Sequence, residues 1–159
     1  MGINPFKGTS QAEVTTRHPF LKPGFVGMIE VEKTVYITTK QKGDAFICEA
    51  TVVESNMSDV HPIGQTIAWY QGFRDRTVAL PSMKQFAMAL CQVNSMDAET
   101  QEEFLKTLDD TLNEACESET LFQGYKVRVE TEHTTTKNGG DFTRHLWQEY
   151  EGEQPQIAE

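Results

Sequence analysis

Within TIAWYQGFRDR, Thr66 to Arg76, three rings (Trp69, Tyr70 and Phe73) run directly into two guanidinium groups, Arg74 and Arg76, with Asp75 between them. Flat rings of this kind can stack nucleobases, worth about 1–3 kcal/mol per base, and guanidinium groups can hold phosphate oxygens. The same residues also suit a core strand that runs into a solvated loop, where Asp75 would pair with either arginine. Side chains alternate along a strand, so Trp69 and Tyr70 cannot both face a core. If Trp69 joins Ile67 inside, Tyr70 is left outside.

A second set of rings and cations is placed by a hairpin signal near the C-terminus. YKVRVETEH and DFTRHLWQEY flank KNGG, and Asn138-Gly139 is a strong two-residue turn. That turn sets Val127 opposite Tyr150, Val129 opposite Gln148 and Thr131 opposite Leu146. Lys126, Arg128 and Glu130 then share the outer face with His145 and Trp147, joining an exposed indole to two cations. A three-residue turn would carry Trp147 inward. Lys137 sits at this hairpin's tip, and Lys40 and Lys42 sit at the tip of an earlier one, beside the exposed-face candidate Tyr36.

Other chemistries find less support. CxxC, HExxH, GxSxG and P-loop patterns are absent from the sequence, and two histidines on opposite hairpin arms, His133 and His145, lack a third ligand for zinc. No enzyme activity, metal or cofactor is expected. Cys48, Cys91 and Cys116 are an odd number in apolar or helical settings, which suits buried thiols in a reducing cytoplasm. With 38% hydrophobic and 24% charged residues, and no apolar run near the roughly 20 residues that span a bilayer, a soluble protein is expected. The N-terminal residues carry no export or myristoylation pattern.

The net charge of -10 is unevenly spread. Nine acids between Asp97 and Glu119 face only Lys106, and the stretch from Glu149 onward adds four more, so the rest of the chain is slightly basic. Binding responds to the field within a Debye length, about 8–10 Å, so an acidic total does not exclude an anionic partner.

The elements that must position these residues follow from periodicity. After an irregular, proline-containing arm over residues 1–23, GFVGMIEVEKTVYITT alternates, with Ile29, Val31, Val35 and Ile37 on one side. KQKGD turns it into AFICEATVVES, and the TIAWYQGF stretch makes a third strand. Pro81 and Ser82 mark a helix start before Met83, Phe86, Ala87 and Leu90, and a second helix runs from about Asp97 to Glu117 with Phe104, Leu105, Leu108, Leu112 and Ala115 as its apolar stripe. Two more strands follow, then a flexible acidic tail over residues 151–159. The fold class is therefore mainly β with a helical insertion at about residues 81–117: a five-stranded, OB-like barrel occupying residues 24–150, with helices between strands 3 and 4.

NPFKGTS, GFVGMIEVEKTVYITTKQKGDAFICEATVVES, GQTIAWYQGF, MKQFAMAL and LFQGYKVRVE with FTRHLWQEY together resemble small phage single-stranded DNA-binding proteins of the OB-fold type. The likeness is one of pattern and length and covers most of the chain. It implies sequence-independent binding of single-stranded DNA during replication or recombination, in the host cytoplasm, by a protein that is often a dimer. The matching positions are Tyr36, Lys40, Lys42, Trp69, Tyr70, Lys126, Arg128, Lys137 and Trp147. The residues themselves add Phe73, Arg74 and Arg76. The resemblance also implies contacts of the acidic tail with replication or recombination proteins, although QPQIAE lacks the dense acidic run ending in an aromatic residue. The rival expectation is a protein-interaction or virion-accessory module working through the acidic helix.

Overall fold

The computed structural model describes residues 18–39, 43–135 and 139–155. Lys40, Lys42 and Lys137, with the arm before His18 and the tail after Pro155, lie outside them. Strands β1 (Val26–Thr39), β2 (Gly43–Ser55) and β3 (Thr66–Gly72) precede helices α1 (Arg76–Leu90) and α2 (Ala98–Ser118), and β4 (Lys126–Thr135) and β5 (Asp141–Glu149) complete the chain. All pairings are antiparallel in the order β3-β2-β1-β4-β5. The protein is thus mainly β, with one five-stranded sheet and two helices between its third and fourth strands. Among the described residues no ladder joins β3 to β5, so the sheet is not closed.

The first strand changes face midway. Irregularities between Met28 and Ile29 and between Val31 and Lys33 each shift the β1–β2 register. An extra residue in a strand reverses which side chains point inward. Ile29 and Val31 accordingly join the main core, whereas Val35 and Ile37 belong to a second cluster on the other side of the sheet. The expectation that all four share one face is corrected by the bulges. Past them, β1 leaves β4 and meets the end of α2 instead: Thr34 donates from its backbone N to Glu119 O (2.8 Å) and from Oγ1 to Ala115 O (2.9 Å).

The main core lies between the sheet and the helices. Phe46, Trp69, Phe86 and Trp147 interlock, with Trp69–Trp147 centroids 4.7 Å apart and Phe86 at 4.9 and 4.8 Å from them. Truncating such a ring to alanine costs about 3–5 kcal/mol. Helix α1 starts earlier than its proline suggests. Asp75 is the N-cap, its Oδ1 accepting from Thr77 N (3.0 Å) and Thr77 Oγ1 (2.5 Å), and Pro81 lies inside the helix. Asp97 caps α2 by accepting from Thr100 N at 2.7 Å.

Residues 18–23 and 151–155 make defined contacts with the sheet and helices. Leu21 is buried, Lys22 N donates to the buried His61 Nε2 (2.9 Å), and Thr131 Oγ1 donates to Lys22 O (2.6 Å). Toward the C-terminus, where a flexible tail is expected from residue 151, Gln154 Oε1 accepts from Lys126 N (2.9 Å), while its Nε2 donates to Leu90 O (3.0 Å) and Lys126 O (2.5 Å).

Candidate nucleic-acid interface

The end of β3 and the start of α1 gather part of the expected set. Tyr36, exposed on β1, meets Phe73 edge-on at 5.4 Å, and its hydroxyl donates to Asp44 Oδ2 at 2.9 Å. Partial burial and that bond raise the phenol's pKa, while the nearby Arg76 charge opposes the rise. The Arg76 guanidinium stands over the Phe73 ring, 5.8 Å from its centroid. Arg74 crosses the start of β2, where Gly43 at φ +76° leaves its Cγ room: a Cβ there would lie 3.0 Å away. Two rings and two guanidinium groups therefore share one corner. Asp75, which the sequence offers as a partner for either arginine, commits Oδ1 to the helix cap.

From this corner a groove follows the free edge of β3. A cavity of about 420 Å³ bounded by Tyr70, Gly72, Arg74, Asp75 and Val78 continues into one of about 710 Å³ between β3, α1 and β5, the two sharing Tyr70, Gly72 and Val78. Phe20 and Phe142, each 48% exposed, edge the larger space with Tyr70, Arg144 and His145. Arg144 Nη1 lies 3.4 Å from Glu132 Oε1 at a solvent-exposed position, where such a pair is worth about 0–1 kcal/mol and yields readily to another anion. His145 supplies no positive charge here, because burial lowers its pKa to about 4.

The other expected residues are placed differently. Trp69 faces the core, only its edge lining the groove, and Tyr70 occupies the outer side, which settles the alternation between them. The β4–β5 register sets Val129 opposite Trp147 and Thr131 opposite His145, with the ladder starting at Thr135–Asp141. This is one residue off the register of a two-residue Asn138-Gly139 turn, so Trp147 points inward, and the exposed Trp147 on a cationic face is corrected. Lys126 stands over the Tyr150 ring at 5.3 Å. Arg128 is clamped by two carboxylates, Glu151 Oε1 at 2.6 Å and Glu54 Oε2 at 2.9 Å, whose hydrogen bonds raise its pKa further. Both cations lie at the end of the β1–β2 hairpin away from its tip.

Phe20, Phe142 and Arg144 are not legible as groove residues in the sequence. Phe142 and Arg144 depend on the β5 register, and Phe20 on where the N-terminal chain crosses the sheet. No group of three or more His, Cys, Asp or Glu among the described residues could hold a metal ion, and no described helix is long and apolar enough to cross a membrane. Compared with known proteins, the chain matches no family model and no curated sequence.

Proposed function

We propose that this is a non-enzymatic, sequence-independent single-stranded DNA-binding protein, serving phage replication or recombination in the host cytoplasm, on an OB-type barrel whose open seam lies between β3 and β5. The observation that carries the reading is the corner where Tyr36, Phe73, Arg74 and Arg76 meet at the mouth of the β3 groove. Arg76 is the first residue of α1, whose first turn contains no acid. The Asp75 carboxylate already caps this helix end, so a phosphate would be held by the guanidinium groups of Arg74 and Arg76. Bases would stack on Tyr36, Phe73, Tyr70 and Phe142, with phosphates held by Arg74, Arg76 and Arg144; Lys40, Lys42 and Lys137, outside the described residues, remain part of the proposed set. Trp69 and Trp147, which are buried, and Arg128, which is paired with Glu54 and Glu151, are left out of this proposed set. Fluorescence anisotropy of a labelled oligo-dT at low and high salt tests the proposal: binding that weakens as salt rises is expected, and absence of binding at low salt defeats it.

One observation favours a second reading, a protein-interaction or virion-accessory module. Only Leu108 and Ala115 of α2 are buried, and Leu105 is 37% exposed among the acids of the helix. This reading predicts a protein partner that is lost when Glu102, Glu103 and Asp110 are replaced, without any DNA affinity. In the DNA-binding reading the same helix, or the tail, would contact replication or recombination proteins, and two copies would form a dimer.

A further inference from the structure

The two parts of the β3 groove differ in chemistry. The smaller, at the mouth, is bounded by two charged residues, Arg74 and Asp75, together with Tyr70, Gly72 and Val78. In the larger, between β3, α1 and β5, Arg144 is the one charged side chain among the described residues that line it, and its guanidinium already lies against Glu132. His145 on the same wall is kept neutral by burial, which lowers its pKa to about 4. Rings and uncharged polar groups make up much of the remaining wall. Tyr70, Phe20, Phe142 and the edge of Trp69 supply the rings, whereas Ser82 and Gln85 of α1 and Thr143 of β5 supply hydroxyls and an amide. At about 710 Å³, the space falls within the roughly 300–1,000 Å³ typical of small-molecule sites.

We propose that this chamber takes one nucleobase out of the strand's own stack, its faces against the rings and its polar edge toward Ser82 and Gln85. The inference rests on the DNA-binding reading and divides the labour within that site. A phosphate entering the chamber would give up its water for a single guanidinium that is itself paired, and burying a charge so poorly matched is costly. The base is the part of a nucleotide that is both planar and uncharged. Its π-face stacks on a ring whatever its identity. A glutamine amide donates and accepts, as does a serine hydroxyl, so the two can meet the edge of any base. The chamber therefore adds affinity without sequence preference. The flanking phosphates stay in the open, at the corner that holds Arg74 and Arg76.

Paired titrations at low salt separate the chamber from DNA binding as such. One probe is oligo-dT, the other an abasic strand of the same length and charge. Trp69 lines the chamber and packs on Trp147, so saturating oligo-dT should quench the tryptophan fluorescence of the unmodified chain, and the saturating abasic strand should not. A Ser82→Phe variant, whose ring would plug the chamber, should bind oligo-dT at least about tenfold more weakly, the scale of one lost stack, with its affinity for the abasic strand unchanged. Leu80→Phe, at an exposed position of the same helix outside the lining, should bind both strands as the unmodified chain does. Salt-dependent binding of oligo-dT without quenching overturns the chamber and leaves the DNA-binding reading standing, as does undiminished oligo-dT affinity in Ser82→Phe. An equal loss on both strands in that variant overturns the chamber too. Binding of neither strand by the unmodified chain defeats both readings.

Discussion

Acid should destabilise this protein through one imidazole before its carboxylates are reached. His145 stacks on Trp147 with centroids 5.5 Å apart, near Trp69 at 6.0 Å. Burial among these rings lowers its pKa from the ordinary 6.5 to about 4, against a smaller opposing effect of a backbone hydrogen bond at Thr143. The unfolded chain takes up the proton near pH 6.5 and the folded chain only near 4. The contribution is therefore complete above pH 6.5 and is lost progressively as the pH falls toward 4. At 1.36 kcal/mol per pH unit, the loss is about 2 kcal/mol by pH 5 and on the order of 3 kcal/mol in all. In a domain of this size that lowers Tm by roughly 4–8 °C at pH 5. The carboxylates with lowered pKa values, Asp75, Asp97 and Glu151, release their share only as the pH falls below their ordinary values near 4. Thermal unfolding followed by circular dichroism between pH 7.5 and 5, for the native chain and a His145→Gln variant, isolates the contribution of this imidazole, because the two proteins differ at that side chain alone. The variant should show a flatter Tm profile over this range. An equally steep profile in both proteins would refute the assignment of the acid sensitivity to His145.

Replacing Arg74 and Arg76 together by alanine should reduce the slope of log affinity against log salt by about 1.4, or about 0.7 for each single-strand phosphate that an arginine no longer neutralises. Oligo-dT titrations at several salt concentrations read this directly, and an unchanged slope removes both arginines from the site. Gln154→Ala deletes three hydrogen bonds to Leu90 and Lys126, so it should cost about 1–3 kcal/mol in urea unfolding and accelerate exchange at the Lys126 amide. Burial raises the thiol pKa of Cys48 to about 12 and of Cys91 to about 11. A thiolate-directed reagent at neutral pH should leave both unmodified until the protein unfolds, which peptide mass mapping would show.

Strand and helix order was legible because periodicity within each segment is a local property. Both helices, all five strands and the position of the helical insertion follow from alternation, apolar stripes and turn residues. What failed depended on single-residue insertions. The extra residue at Glu32 in β1 leaves no mark in a run as regular as VEKTVYITT, yet it moves Val35 and Ile37 to the opposite face. Asn138-Gly139 advertises a tight turn, but the ladder stops at Thr135–Asp141, and the one-residue difference sends Trp147 inward. Pro81 reads as a helix start, although the Asp75 cap extends α1 back to Arg76. That extension moves Arg76 from a loop to a helix terminus, and so decides part of the candidate site. The companions of Arg128 were illegible for a different reason: Glu54 and Glu151 are distant in sequence and meet only after β1, β2 and the C-terminal chain converge.

The interval between β3 and β5 is bridged from the core side. Trp69 and Trp147 meet across it, and Phe86 is lodged against both. Aromatic pairs at such centroid distances add about 0.5–1.5 kcal/mol beyond the area they bury. Smaller side chains at these positions would leave a void where the two strands approach each other and loosen the wall of the groove that Trp69 lines.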